Sequence, residues 1–345
     1  MGTGAGGSLA KALKHHKAGR LARALSLYDA ILTRTPGHLE VLLLAGQAAR
    51  DLGDMARATH LLRRAFDLGR HHPAVCLTYG RLCLQESKTQ EALAAYRQLA
   101  TLTPEDAGVH RVLGDILQSL GLPEDSIACY EKSLALAPGA TEVLFNLGLA
   151  FHRTGRPEAA IAEFRRIIAL LPDFTEAYRS MGDALVNGGR LGEAADRYSR
   201  ALTLKPDFAE VHANLSSVLV GLKRPEAAVA SLHRAIRLNP QLARAYHALG
   251  IIRLEEGRLE EALVCYHRAI TLAPDFQEAH FDRGNLLRLR GDFAAGWRDY
   301  EWRRQAVGSK ADFAPFVSLP SWRGEILNGP LLMTAEQGVG EEILF

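Results

Sequence analysis

Two glycines near the end of the chain have the spacing of a turn that could hold a phosphate group. The run LLMTAEQGVGEEILF begins as a short apolar strand, passes through Gly338 and Gly340, and would open a helix near Glu341. A strand followed by a glycine turn and a helix N-terminus presents backbone N–H groups to phosphate oxygens. The run lacks the third glycine of a dinucleotide fingerprint and the Gly-Lys-Ser of a P-loop. A phosphate or sugar-nucleotide loop and an ordinary turn therefore both remain open.

The four cysteines do not have the spacing of a metal site or of a redox pair. Cys76 and Cys83 are seven residues apart, whereas Cys129 and Cys265 are distant from them in the sequence. Because no two cysteines form a Cys-x-x-Cys pair, we expect small, buried packing residues in a reducing compartment. The sequence predicts no metal and no cofactor.

A repeat of 34 residues runs along most of the chain and predicts its helices. Prolines lie at positions 36, 104, 138, 172, 206, 240 and 274, and glycines at 46, 80, 114, 148, 182, 250 and 284. Within each period apolar and small residues recur every three or four positions, which predicts a helix A, a turn and a helix B that ends before a proline. The predicted turn glycines are Gly19, Gly53, Gly121, Gly155, Gly189, Gly257 and Gly291.

These helix pairs predict an all-α solenoid rather than a compact multi-domain fold. Helices of about 13 residues are marginal alone, so each must bury its apolar stripe against its neighbours. Nine repeats tile residues 5–310, after a predicted disordered leader at residues 1–4. The small residues, such as Gly182 and Ala194, mark the places where helices approach most closely.

One repeat, residues 175–208, resembles the tetratricopeptide-repeat family position by position. The matching residues are Tyr178, Met181, Gly182, Leu185, Ala194, Tyr198, Ala201 and Pro206. The resemblance covers about nine-tenths of the chain and implies a right-handed superhelical solenoid of helix-turn-helix repeats. Members of this family are mostly protein-binding scaffolds, so it also implies a protein or peptide partner.

The resemblance further implies which side chains line the concave groove, because helix A lines it in this family. The corresponding residues in the middle repeats are Arg111, Asp115, Asn146, Glu176, Arg179, Ser180, Asp183 and Asn214. Their mixed charge suits an extended polar peptide, and Asn146 and Asn214 are the candidates for bidentate contacts to a peptide backbone. A solvated inner face, on which the glutamates merely favour a helix N-terminus, is the alternative.

Histidines could hold a metal, but their spacing favours structural or surface roles. His110, His212 and His280 share a repeat position that normally packs between helices in this family, and they are at least two repeats apart. His233 and His267 lie one repeat apart, yet adjacent helices pack about 8–10 Å from each other, which is too far for one ion.

The charge balance excludes some classes of partner. There are 41 lysines and arginines against 39 aspartates and glutamates, so no strong global field attracts nucleic acid. No uncharged apolar run approaches the roughly 18 residues of a membrane span, and the N-terminal run lacks an apolar core of the length that would predict a signal peptide. The sequence therefore predicts a cytoplasmic protein that binds neither nucleic acid nor the membrane interior.

The last residues of the chain are predicted to belong to a different domain. After Gly308 the repeat stops, residues 311–330 have the composition of a linker, and residues 331–345 would be a truncated first strand and turn. With the run GWRDYEWRR before them, they resemble the junction between tetratricopeptide repeats and a heptosyltransferase-like glycosyltransferase domain in bacteria. Glu341 stands where that family usually has Asp.

That resemblance implies an alternative function, in which the repeats select the acceptor for a glycosyltransferase with a nucleotide-sugar donor. A donor site needs the rest of the transferase domain, so this chain alone is not expected to be a complete enzyme.

Overall fold

The computed structural model describes residues 3–302, which form eighteen α-helices in nine consecutive helix-turn-helix pairs. They belong to two compact units, the first ending at Pro240 and the second beginning at Gln241. The first unit contains α1 (Thr3–Lys17), α2 (Leu21–Arg34), α3 (Leu39–Leu52), α4 (Met55–Leu68), α5 (Pro73–Gln85), α6 (Thr89–Leu102), α7 (Ala107–Ser119), α8 (Pro123–Leu136), α9 (Thr141–Arg153), α10 (Pro157–Leu170), α11 (Thr175–Asn187), α12 (Leu191–Leu204), α13 (Ala209–Gly221) and α14 (Pro225–Leu238). The second contains α15 (Ala243–Glu255), α16 (Leu259–Leu272), α17 (Gln277–Leu289) and α18 (Phe293–Tyr300).

The predicted all-α solenoid is confirmed within each unit, since every helix A packs on the helix B that follows it. The first helix, α1, begins at Thr3 and so includes two of the four residues that were assigned to a leader. The tail that was predicted to hold a strand lies outside the described residues.

In all nine pairs of the described chain, the turn between helix A and helix B contains one residue in the left-handed backbone conformation. All seven predicted turn glycines have positive φ angles, between 70° and 89°. Ser87 and Lys223 fill the same position in the remaining two pairs, each with φ of 57°. The seven predicted glycine turns are confirmed, and the other two turns place a side chain where glycine is favoured.

In five of the described helix pairs an aromatic ring of helix B lies against a glycine of helix A. A Cβ atom added to Gly182 would lie 2.5 Å from the ring of Tyr198, and one added to Gly114 would lie 2.5 Å from Tyr130. Both tyrosines are at most 2% exposed. The close approach predicted at the small residues is confirmed, and Ala194 is fully buried as well.

None of the helices in residues 3–302 has both the length and the apolar character needed to cross a lipid bilayer. The interior instead consists of the apolar stripes of neighbouring helices. In the first unit these stripes merge into clusters that run from α1 through α13.

Candidate peptide-binding surface

Four side chains from three consecutive helices meet around Asp115. Asp115 Oδ1 accepts hydrogen bonds from the Tyr130 hydroxyl, at 2.8 Å, and from Asn146 Nδ2, at 3.0 Å. The other carboxylate oxygen accepts from Arg111 Nη1, at 3.0 Å. The aspartate on α7 thus joins its own helix to α8 and α9, and we call this group of four the first quartet.

The same arrangement recurs two repeats later around Asp183. Its Oδ1 accepts from the Tyr198 hydroxyl, at 2.6 Å, and from Asn214 Nδ2, at 2.9 Å, while Oδ2 accepts from Arg179 Nη1, at 2.9 Å. This second quartet joins α11, α12 and α13. Six of the eight residues predicted for the groove are therefore brought together in two identical clusters.

The electrostatics of the quartets keep the tyrosines as hydrogen-bond donors. Burial raises the pKa of the Tyr130 hydroxyl, and the negative charge of Asp115 raises it further. The pKa of Tyr198 is raised by the same two causes, with Asp183 as the charge. Each carboxylate is balanced by an arginine, so each quartet is neutral as a whole.

The aspartates also fix the orientation of the two asparagines. Because an ionised carboxylate can only accept hydrogen bonds, the amide nitrogen of Asn146 must face Asp115. This contact uses one of the two amide hydrogens. The amide carbonyl of Asn146 has no hydrogen-bond partner within residues 3–302, and the same holds for Asn214. Each asparagine keeps one donor and one acceptor for a bidentate contact.

The two remaining residues predicted for the groove have different surroundings. Ser180 is 3% exposed, and its hydroxyl accepts from Arg179 Nη2 at 3.3 Å. Because it is almost fully buried, it offers little surface to a ligand. Glu176 is half-buried on α11 and forms no ion pair among the described residues. It is free to contact a ligand.

Sequence reasoning did not place Tyr130 and Tyr198 in the site. Their rings are buried and fill the repeat core. The sequence does contain a signal for the quartets. In both, the tyrosine lies 15 residues after the aspartate, and the asparagine lies 31 residues after the same aspartate.

In the second unit, four repeats after the first quartet, three of the four positions carry different residues. His247, Ile251, Tyr266 and Asp282 stand where the first quartet has arginine, aspartate, tyrosine and asparagine. His247 Nε2 lies 2.8 Å from Asp282 Oδ2, but Ile251 offers no acceptor to the tyrosine. The Tyr266 hydroxyl is buried, and it has no hydrogen-bond partner in the part of the chain that the structure describes.

The histidines that were predicted to be structural share one contact. Their Nε2 atoms lie at hydrogen-bond distance from a proline carbonyl six residues earlier, at 2.8 Å for His110, 3.1 Å for His212 and 2.9 Å for His280. This contact ties the start of helix A to the end of the preceding helix B. In residues 3–302 no group of three potential ligands could hold a metal ion.

The cysteines are packing residues, as expected from their spacing. Cys76 and Cys83 are buried free thiols, and Cys129 and Cys265 are half-buried ones. Burial raises the pKa of the Cys83 thiol to about 11. A thiol that stays protonated at neutral pH is a poor nucleophile, which agrees with a packing role for Cys83.

The predicted phosphate or sugar-nucleotide loop, with Gly338, Gly340 and Glu341, lies outside the described residues. The linker at residues 311–330 lies there as well. The glycosyltransferase-like character of this tail stays a prediction from the sequence.

Comparisons with known proteins match the repeats. Models of the tetratricopeptide repeat match residues 111–173, 182–223, 209–242 and 243–276, and a model of subunit 3 of the anaphase-promoting complex matches residues 17–99. No curated protein shows significant sequence similarity to the chain.

Two solved structures illustrate the likeness in fold. A tetratricopeptide repeat protein from Parabacteroides merdae is 18% identical with a TM-score of 0.55, covering 73% of this chain and 98% of its own. The Cut9–Hcn1 hetero-tetramer of the anaphase-promoting complex is 19% identical with a TM-score of 0.51, covering 81% of this chain and 55% of its own. At such identities the likeness concerns the fold alone.

Proposed function

Because the chain carries tetratricopeptide repeats, we propose that it is a protein-binding scaffold that holds an extended peptide segment along α7, α9, α11 and α13. The observation that carries this proposal is the pair of identical quartets. Each presents an asparagine whose amide is held in one orientation by an aspartate, and a buried tyrosine donates to the same aspartate.

An extended peptide is the ligand that fits this surface best. Its backbone offers an N–H donor and a carbonyl acceptor at every residue, and a side-chain amide can satisfy both at once. The quartets are neutral, so they do not select a strongly charged small molecule. Since the amides are already oriented in the free protein, little conformational entropy is lost when a peptide binds.

A random peptide library displayed on phage tests the proposal. We expect the purified chain to select peptides, and we expect the double variant Asn146→Ala/Asn214→Ala to bind them about a hundredfold more weakly. Loss of hydrogen bonding worth about 1.4 kcal/mol at each asparagine gives a factor of ten per site. Fluorescence anisotropy with labelled synthetic peptides measures the affinity.

Asn187→Ala is the matched control, because Asn187 is an exposed asparagine at the end of α11 outside both quartets. This variant should bind like the wild-type chain. Circular dichroism must show the same helix content for all three proteins. Unchanged affinity in the folded double variant, or a library that yields no binding peptide, would overturn the proposal.

A further inference from the structure

The helix that contributes Asn146 to the first quartet carries an apolar pair in place of the polar one. Arg111 and Asp115 on α7 correspond, one repeat later, to Phe145 and Leu149 on α9. The polar pair returns on α11 as Arg179 and Asp183. Along the successive A helices the proposed binding surface is therefore polar, then apolar, then polar.

The apolar pair lies at the surface of the core and not inside it. Phe145 and Leu149 are both half-buried and pack against the buried cluster of the first unit. The Phe145 ring meets the rings of Phe164 and Phe174 at centroid distances of 5.8 Å and 5.5 Å. Its position is thus set by aromatic packing on one side, and part of the side chain stays accessible on the other.

The charges on the same four helices are unbalanced towards the negative. α7, α9, α11 and α13 carry three arginines and five carboxylates, which is a net formal charge of −2. Glu142 and Glu210 lie one helical turn before Asn146 and Asn214, and the Glu142 side chain is 69% exposed. Among the described residues neither Glu176 nor Glu210 forms an ion pair.

We propose that the peptide segment carries one large apolar side chain, docked on Phe145 and Leu149, and lysine or arginine residues beside it. This inference rests on the proposed function and specifies its ligand. Asn146 lies beside Phe145 on α9, so a peptide backbone held by this asparagine brings a neighbouring side chain against the apolar pair. The unpaired glutamates then favour cationic neighbours.

Two physical effects of unequal size underlie this selectivity. An apolar side chain that leaves water against Phe145 and Leu149 gains affinity in proportion to the area buried, whereas a polar one loses hydration without finding a partner. The exposed ion pairs contribute less and weaken with salt. We therefore expect the apolar position to dominate specificity and the charges to tune it.

A serine scan of a library-selected peptide tests the apolar contact on the full chain. Replacing the apolar side chain by serine should weaken binding to the wild-type chain about tenfold or more, as expected for an apolar side chain that is largely buried. Binding to the Leu149→Gln variant should change by less than about threefold for the same replacement. Leu149→Met is the conservative control and should keep the full difference.

The charges are tested with Glu176→Gln/Glu210→Gln. Peptides with lysine or arginine should bind this variant several-fold more weakly at low salt and equally at high salt. No change in affinity or in salt dependence would overturn the cationic part of the proposal.

The outcomes separate this inference from the proposed function. If selected peptides need Asn146 and Asn214 but tolerate serine at every position, the apolar site is overturned and peptide binding stands. If no peptide binds, both are overturned. Sedimentation of the free chain tests a different occupant. A dimer that Leu149→Gln abolishes would identify a second copy of this chain as the occupant of the apolar pair and would overturn the proposal that a peptide side chain docks there.

Discussion

At the scale of single residues, the tyrosine of helix B shows how one side chain serves packing and hydrogen bonding together. Tyr130 fills the space left by a glycine and donates its hydroxyl to Asp115. Tyr266 fills the same space in the second unit, but its buried hydroxyl finds no partner in the described residues. The ring fills the core at both positions, whereas of these two hydroxyls only that of Tyr130 forms a hydrogen bond among the described residues.

This contrast predicts opposite effects of the same substitution. Tyr130→Phe should lower the free energy of unfolding by about 1 kcal/mol, since Asp115 loses a buried donor. Tyr266→Phe should leave that free energy unchanged or raise it, because it removes a buried polar group that forms no hydrogen bond. Urea unfolding followed by circular dichroism measures both. Equal losses in the two variants would show that the Tyr266 hydroxyl is satisfied in solution.

At the scale of elements, the left-handed turn between helix A and helix B sets the geometry of every pair. Seven turns of the described chain use glycine, which adopts positive φ at no steric cost, and two use Ser87 or Lys223. A side chain in this conformation brings its Cβ close to the backbone. These two turns are therefore the strained ones.

Lys223→Gly should raise the free energy of unfolding by about 1 kcal/mol, because it relieves the strain at that turn. Gly155→Ala is the reciprocal variant and should lower it by a similar amount. A steric clash is not the cause of the loss expected for Gly155→Ala, since a Cβ on Gly155 meets no atom within 4 Å. Thermal unfolding compares the two proteins with the wild type. A loss of stability in Lys223→Gly would mean that the lysine side chain contributes more than its backbone costs.

At the scale of the whole molecule, each compact unit is a series of helix pairs in which each pair packs on its neighbours in sequence. Solenoid stability is approximately a sum over repeats and the interfaces between them. The first compact unit contains both quartets and the apolar pair on α9. The 34-residue period runs through Pro240 without a break, so the division into two units is not visible in it.

Residues 1–240 should accordingly fold when expressed without the rest of the chain. We expect cooperative thermal unfolding, native helix content per residue, and peptide affinity within a few-fold of the full chain. Circular dichroism and fluorescence anisotropy provide the measurements. A fragment that is helical but binds no peptide would show that the surface needs residues beyond Pro240.

Much of the fold was predictable because it depends on local regularity. The spacing of apolar residues, the turn glycines and the prolines all act within one repeat, and the structure confirms the helix pairs that they predicted. The resemblance also placed Asp115, Asn146, Asp183 and Asn214 on one face, since they share helix A positions. Exposure was less predictable: Ser180 occupies the same position as the asparagines, yet it is buried beneath Arg179.

The sequence by itself determined the period, the helices, their turns and the residue types on each face. Only the tertiary structure decided which of those residues bond to one another. Asp115 meets Tyr130 and Asn146 because three helices, spread over 31 residues of sequence, converge on one carboxylate. Hydrogen bonds depend on distances of a fraction of an ångström, and those distances are set by how the helices pack and not by their periodicity.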